Sequence, residues 1–404
     1  MTIKPLNRIA RSMGLTLMAR TTPPDVLIVG AGITGLLLAR ALARLSVKVL
    51  VVESSAQVFA GATPRNEGWL HHGTYHAISV SDTHTAVSVA ERCMYGAQAF
   101  KTMVPEALED HLLPSYAFTA DGNPEWIEDR WHQSDVKYRR IDLRQLRRFV
   151  PELRDEGLTA GYQVEDRAVN TRIVCAALLN DLRSAGVRVL TGVRLTRMDE
   201  LKLKVTSGST VFQVSPKLIV LATGYGTASA AHDLRLGGEI PIRLWKSHLA
   251  VTRRLTNAPI FSLDADDPAL MNHGATSIVG LNNDAKETPL PDHTPDPESM
   301  THLLSRLKNR FSVPIDNTQI HPIACTKVDI VTAKDQARSL APAALKLEDR
   351  AYALLPGKMT EAPFVVHKSL PRLLEDMDYP WPTSRPKDDI MIKIEQWDDP
   401  IWMN

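Results

Sequence analysis

Residues 25–35 read Asp25-Val-Leu-Ile-Val-Gly30-Ala-Gly32-Ile-Thr-Gly35, and this stretch decides the fold. Asp25–Val29 is short, apolar and β-branched, as expected of a strand buried on both faces of a parallel sheet. Leu36–Leu45 follows with a helical apolar pattern, and Lys48–Val52 reads as a second strand. Together they make one βαβ unit. Gly30 permits the tight turn after the strand. Gly32 lets a pyrophosphate approach the backbone, and Gly35 lets the helix lie close to the sheet. The helix start offers free N–H groups and positive potential to phosphates, and Ile33 and Thr34 stand at that start. Glu53 ends the second strand, eighteen residues after Gly35, where a carboxylate can accept hydrogen bonds from ribose hydroxyls. An acid at this place favours an unphosphorylated ribose, hence FAD or NAD.

Outward from this unit, composition narrows the class. The chain has 404 residues, 44% hydrophobic and 23% charged, enough apolar content for sizeable cores in two or more domains. Lys and Arg (47) nearly balance Asp and Glu (46), which argues against nucleic acid as a main partner. No apolar run reaches the length of a membrane span. Cys93, Cys175 and Cys325 are far apart and make neither a metal-ligand spacing nor a disulfide framework, so no metal and a cytoplasmic location are expected. Residues 1–24 form a basic extension carrying Lys4, Arg8, Arg11 and Arg20 and no acid. Residues 83–107 and 170–184 read as helices, Val187–Leu190 and Leu218–Leu221 as strands, and 241–330 as mostly strand. The tail 376–404 holds Trp381, Trp397 and Trp402 and is expected to dock on the protein, a partner or a membrane surface.

A second motif follows the second strand: Pro64-Arg65-Asn66-Glu67-Gly68-Trp69-Leu70-His71-His72-Gly73-Thr74-Tyr75. With the first, it resembles the FAD-dependent oxidoreductases related to D-amino-acid oxidase. The pattern is nearest to their 2-hydroxyglutarate and glycerol-3-phosphate dehydrogenase branch. Glu165–Asn170 with the following helix, Leu218–Gly224 and Leu355-Pro-Gly-Lys-Met-Thr360 resemble later segments of the same family. Where the family has a first glycine in that last loop, this chain has Pro356, which has no N–H to give. The absence of a Gly-Asp dipeptide and of a CxxxxC pair sets the chain apart from flavin hydroxylases and disulfide reductases.

The resemblance implies an α/β fold with a Rossmann-type, glutathione-reductase-like FAD domain and a second, mixed-sheet substrate domain. It implies a discontinuous FAD domain over 25–82, 160–235 and 345–375, with 83–159 and 236–344 in the substrate domain. It implies that FAD is met by Gly30, Gly32, Ile33, Thr34, Gly35 and Glu53, then by Arg65, Asn66, Gly68 and Val193. Ala222, Thr223, Gly224, Gly357, Lys358, Met359 and Thr360 complete the expected cofactor set. The implied activity is oxidation of a C–H bond bearing a hydroxyl or amine in a small polar substrate, by hydride transfer to the flavin. The alternatives are an amine or amino-acid oxidase, and a flavin-binding protein with a docking tail. Oxygen, a quinone or another protein would serve as electron acceptor, and membrane contact is expected only through the tail or the extension.

His71 stands at the family's active-site histidine position, where an imidazole suits proton transfer near neutral pH. The bland reading is a histidine packed beside the cofactor, and the same choice applies to His72 and His76. Lys327 lies where the family often has an arginine holding an anionic substrate group; lysine keeps the charge but lacks the bidentate fork. Arg243 and Lys246 are second-rank candidates for that role.

Overall fold

The computed structural model describes residues 23–109, 113–237, 240–331 and 341–380, with the backbone of 402–403. Most of the basic extension lies outside the described residues, as do Trp381 and Trp397.

The strand Val26–Val29 sits in the middle of a seven-stranded sheet. It pairs in parallel with Val49–Val52 on one side and Leu218–Leu221 on the other. Arg188–Leu190 extends the sheet beyond Val52. On the opposite side, Ala351–Leu355 runs parallel to Leu218–Leu221 and turns back as a hairpin with Ala343–Glu348. Trp402–Met403 adds a last parallel strand to that edge.

Both faces of the sheet are covered, which is why its strands carry apolar residues throughout. Val26, Ile28, Val51 and Val220 face a helical layer made of Ile33–Arg44, Thr171–Ser184 and Ala362–Glu375. Leu27, Leu50, Val52 and Ile219 face a three-stranded meander, Val193–Val214, and the short helix Thr227–Asp233. Each fully buried Leu or Ile in these layers contributes about 1.5–3 kcal/mol by leaving water.

The second domain is a nine-stranded mixed sheet. Its spine is the long strand Ile242–Arg253, paired antiparallel with Thr276–Leu281 and with His321–Ile330. The helices Leu143–Phe149 and Pro297–Arg310 cover one face around Tyr116, Phe118 and Phe311, and Pro124–Gln133 covers the other around Trp131 and Tyr162.

Three expected boundaries shift. Ala160–Val164 belongs to the nine-stranded sheet, because Ser115–Thr119 and Tyr138–Ile141 fill both of its hydrogen-bonding edges. The helix Thr83–Met103, expected with the substrate domain, instead packs Tyr95, Ala97 and Phe100 into the core of the seven-stranded sheet's helical layer. The last piece of the dinucleotide-binding domain, expected from 345, takes in the whole hairpin strand that begins at Ala343.

Candidate active site

The glycine-rich turn has the geometry its sequence requires. Gly30 has φ +105, and a Cβ there would stand 2.5 Å from the Ala222 carbonyl oxygen. A Cβ on Gly35 would stand 2.0 Å from the Gly30 carbonyl oxygen, so the helix lies directly on the turn. Gly32 differs. A Cβ there would meet only Thr63 Oγ1, at 3.6 Å, an ordinary contact. The polypeptide itself leaves room at position 32, so a need for glycine would come from something lying over the loop.

Around this room the polar groups converge. Glu53 Oε2 accepts the Ala31 N–H at 2.9 Å, and its Oε1 accepts the Ser55 N–H at 2.8 Å. Those bonds hold the carboxylate beside the turn, with lone pairs to spare. Thr63 Oγ1 accepts the Ile33 N–H at 3.2 Å, at the first turn of the helix. Val193 donates its N–H to the Glu53 carbonyl at 2.9 Å, and Ala222 donates to the Val29 carbonyl at 2.7 Å.

From here one continuous cavity of about 820 Å³ runs to the second domain. Of the residues expected to meet the cofactor, Gly30, Gly32, Ile33, Thr34, Glu53, Asn66 and Val193 line it. So do Ala222, Thr223, Gly224, Gly357, Lys358, Met359 and Thr360. His71 and Lys327 line the same cavity. Its volume falls in the ordinary range for ligand pockets, and it joins both sequence motifs. The room over Gly32, the helix start and the acid at position 53 fit a dinucleotide such as FAD.

Three expected cofactor residues stand apart from the lining. Gly35 serves the packing just described. Arg65 folds back on its own loop, donating to the Ala60 and Gly61 carbonyls, the latter at 2.7 Å. Gly68 has φ +71, and a Cβ there would stand 2.5 Å from His273 Cε1; a neighbouring side chain demands this glycine. Asn66 acts as a strut: its Nδ2 donates to the Thr63 carbonyl at 2.6 Å and its Oδ1 accepts the Gly68 N–H at 2.7 Å.

The loop after Leu355 is held by buried charge. Glu361 is fully buried and takes Lys358 Nζ at 2.8 Å and Arg92 Nε at 2.9 Å. Of these three groups Lys358 lines the cavity, and the buried carboxylate anchors its ammonium there. The Pro356 carbonyl accepts the Lys358 N–H at 2.7 Å, so the loop closes on itself where the proline stands.

A short antiparallel pair builds the histidine end. Trp69 pairs with Ala168 and Leu70 with Arg167, so the next residues outward, His71 and Asp166, come face to face. His71 Nδ1 lies 3.7 Å from Asp166 Oδ1, in ion-pair range though longer than a hydrogen bond. Asp166 is 1% exposed, and it too lines the cavity. Burial pushes its carboxyl up, but His71, His72 and the Thr74 hydroxyl outweigh this and hold it below the usual carboxylate value. The His71 ring meets His76 edge-on at 4.7 Å, and Trp69 meets Phe261 edge-on at 4.9 Å on the same lining.

His72 faces a different cavity of about 320 Å³, beside Glu165, Arg167 and Lys101. Burial draws its pKa down, against the pull of Asp166 and Glu165. Arg243 and Lys246 do not line the main cavity; they lie 3.8 Å from Glu287 and 2.5 Å from Asp292. Lys327 reaches the lining from the strand His321–Ile330, and it has no ion pair among the described residues. Asp166, Thr63 and Glu361 are not among the sequence-based candidates: Asp166 and Thr63 meet partners distant in the chain, and Glu361 joins nearby Lys358 to distant Arg92.

Known proteins resemble this chain over most of its length. The DAO family model, described as FAD dependent oxidoreductase, matches residues 25–343. An anaerobic glycerol-3-phosphate dehydrogenase chain of Escherichia coli K12 is 26% identical over 180 residues, covering 43% of this chain but only 31% of that one. Glycerol-3-phosphate dehydrogenase 1 of Mycobacterium tuberculosis H37Rv is 22% identical over 406 residues, covering 91% of this chain and 76% of that one. Among solved structures, the FAD-bound, dithionite-reduced L-alpha-glycerophosphate oxidase of Mycoplasma pneumoniae superposes with a TM-score of 0.68. It is 15% identical, over 91% of this chain and 97% of that chain, and so shares the fold.

Proposed function

Because the chain belongs to the DAO family of FAD-dependent oxidoreductases, we propose that it oxidises a hydroxyl-bearing carbon of a small anionic substrate. Glycerol 3-phosphate is the first compound to test, since two relatives are named for it. One observation carries the reading: a single cavity presents His71, backed by a buried carboxylate, and Lys327, a cation with no ion pair among the described residues.

The division of labour follows from the residues. FAD, when bound, supplies a two-electron acceptor for the substrate's C–H hydrogen as hydride. His71 takes the hydroxyl proton, so the carbon is left as a carbonyl and the charges balance. Lys327 holds the anionic group and so fixes which carbon faces the cofactor. The paired rings of Trp69 and Phe261 exclude water from that end. Tyr75, on the same lining, is pushed up to about 12 by burial and by Asp264, and it remains a neutral phenol.

Anaerobic mixing of the yellow holoprotein with a panel of substrates tests the proposal. Glycerol 3-phosphate or another phosphorylated or carboxylated alcohol should bleach the flavin. Bleaching by amines or amino acids alone would overturn the hydroxyl assignment. No described helix is long and apolar enough to cross a membrane.

A further inference from the structure

We infer that Asp166 is a positioning residue: it fixes which ring nitrogen of His71 carries the proton and so leaves the other nitrogen free to accept one. The inference rests on the proposed role of His71 and deepens it.

Asp166 is itself held from several sides. The pairing of Leu70 with Arg167 sets its place along the chain. Its Oδ2 accepts the Thr74 hydroxyl, and its Oδ1 accepts the His72 N–H at 3.2 Å. Thr74 is fully buried, and its carbonyl accepts the indole N–H of Trp131 at 2.8 Å. Trp131 lies in the core of the second domain. The carboxylate therefore cannot swing away without disturbing both domains.

An ionised carboxylate only accepts hydrogen bonds. Its negative charge repels a lone pair and so favours hydrogen on the ring nitrogen that faces it. That nitrogen is Nδ1, 3.7 Å away, which favours the Nδ1–H tautomer of neutral His71 and leaves Nε2 its lone pair. Free imidazole side chains generally prefer the opposite arrangement. When Nε2 takes a proton, the ring becomes a cation beside a fixed anion, and the two charges compensate.

The other charged groups here do not take over this task. His72 turns its ring to the smaller cavity, flanked by Glu165 and Arg167. His76 meets His71 edge-on. Lys358 and Arg92 are both bound to Glu361, on the loop after Leu355 and the helix Thr83–Met103. Asp166 is the acid that faces Nδ1 of His71 among the described residues.

The test reads the tautomer directly. Holoprotein with ¹⁵N-labelled histidine is studied by long-range ¹H–¹⁵N spectra, with His71→Gln used to assign the signal. Wild-type His71 should show the Nδ1–H form, and Asp166→Asn should return it to Nε2–H. With glycerol 3-phosphate as substrate, Asp166→Asn should slow flavin reduction by about 10²-fold with little change in apparent affinity. An Nε2–H tautomer in the wild type, or an unchanged tautomer in the variant, overturns the inference. Should Asp166→Asn fail to fold, the wild-type spectrum decides alone. Full-speed reduction in His71→Ala would instead remove His71 from the mechanism, whatever its tautomer, so the two failures are told apart.

Discussion

Gly96, in the middle of the helix Thr83–Met103, lies so close to the Thr360 carbonyl that a Cβ on it would stand 1.6 Å from that oxygen. The helix and the loop Gly357–Thr360 are therefore in backbone contact. Gly96→Ala must push the loop outward, into the cavity it lines. Overpacking of this kind costs about 1–3 kcal/mol or more. The variant should melt lower and retain less flavin. Wild-type melting and wild-type flavin content would refute the contact.

Gly32→Ala should separate stability from cofactor retention. The added methyl meets Thr63 Oγ1 at an ordinary 3.6 Å and the backbone there is not left-handed, so the apoprotein should lose no more than about 1 kcal/mol. The same methyl occupies the space over the loop, and the purified variant should be nearly colourless. Retention of full flavin in a folded variant would count against the dinucleotide site.

His71→Ala should keep the yellow colour and slow flavin reduction by about 10²–10⁴-fold in anaerobic stopped flow, the usual loss when a general base is removed. A packing role predicts the reverse pattern, with flavin lost and the rate preserved in molecules that retain it.

Lys327→Met keeps much of the side chain's length and removes its charge. It should raise the substrate concentration for half-maximal reduction by tenfold or more, since charged hydrogen bonds contribute about 1.5–3 kcal/mol. Flavin content should stay unchanged. Equal affinity for an anionic substrate would exclude Lys327 as its anchor.

His273 makes stability depend on pH. Its Nδ1 meets Glu109 at 2.7 Å and its Nε2 meets the Glu67 carbonyl at 2.8 Å. Burial draws its pKa down, but Glu109 and the Glu67 carbonyl raise it further, leaving it above the usual 6.5. A raised folded value gives stability that is whole below the unfolded value and is lost as pH climbs through the folded one. Urea unfolding should show wild type losing its margin over His273→Gln as pH rises above the ordinary histidine value of about 6.5. A margin constant across that rise would show that the pair contributes no proton linkage.

The sequence made the dinucleotide unit legible because its signals are local. A strand, three glycines, a helix and an acid stand within thirty residues, and each has a physical meaning at its own position. His71 and the 355–360 loop were legible through resemblance. Asp166 was not, because its role exists only when Trp69–Leu70 pairs with Arg167–Ala168 across nearly a hundred residues. Gly68 reads from the sequence as a cofactor contact, yet its glycine answers to His273, some two hundred positions away. The helix Thr83–Met103 carries an apolar face that either core could bury, and only its contact with Thr360 and Phe364 shows which one does. Arg65 has the right charge for a phosphate, and its Nη1 is turned to carbonyls of its own loop.

The order of strands in the seven-stranded sheet also bears on how the protein is made. Leu218–Leu221 lies between Val26–Val29 and Ala351–Leu355. While the chain is on the ribosome, that inner strand has one neighbour and an open edge. At about 5–20 residues per second, its second neighbour follows roughly seven to twenty-seven seconds later. Throughout that interval a fully apolar strand edge is presented to other chains. The loop that follows Leu355, and with it one wall of the cofactor cavity, is translated after that strand. Any nascent chain stalled before residue 351 therefore carries the first half of a nucleotide site and an adhesive edge, a fragment suited to chaperone capture rather than to flavin uptake.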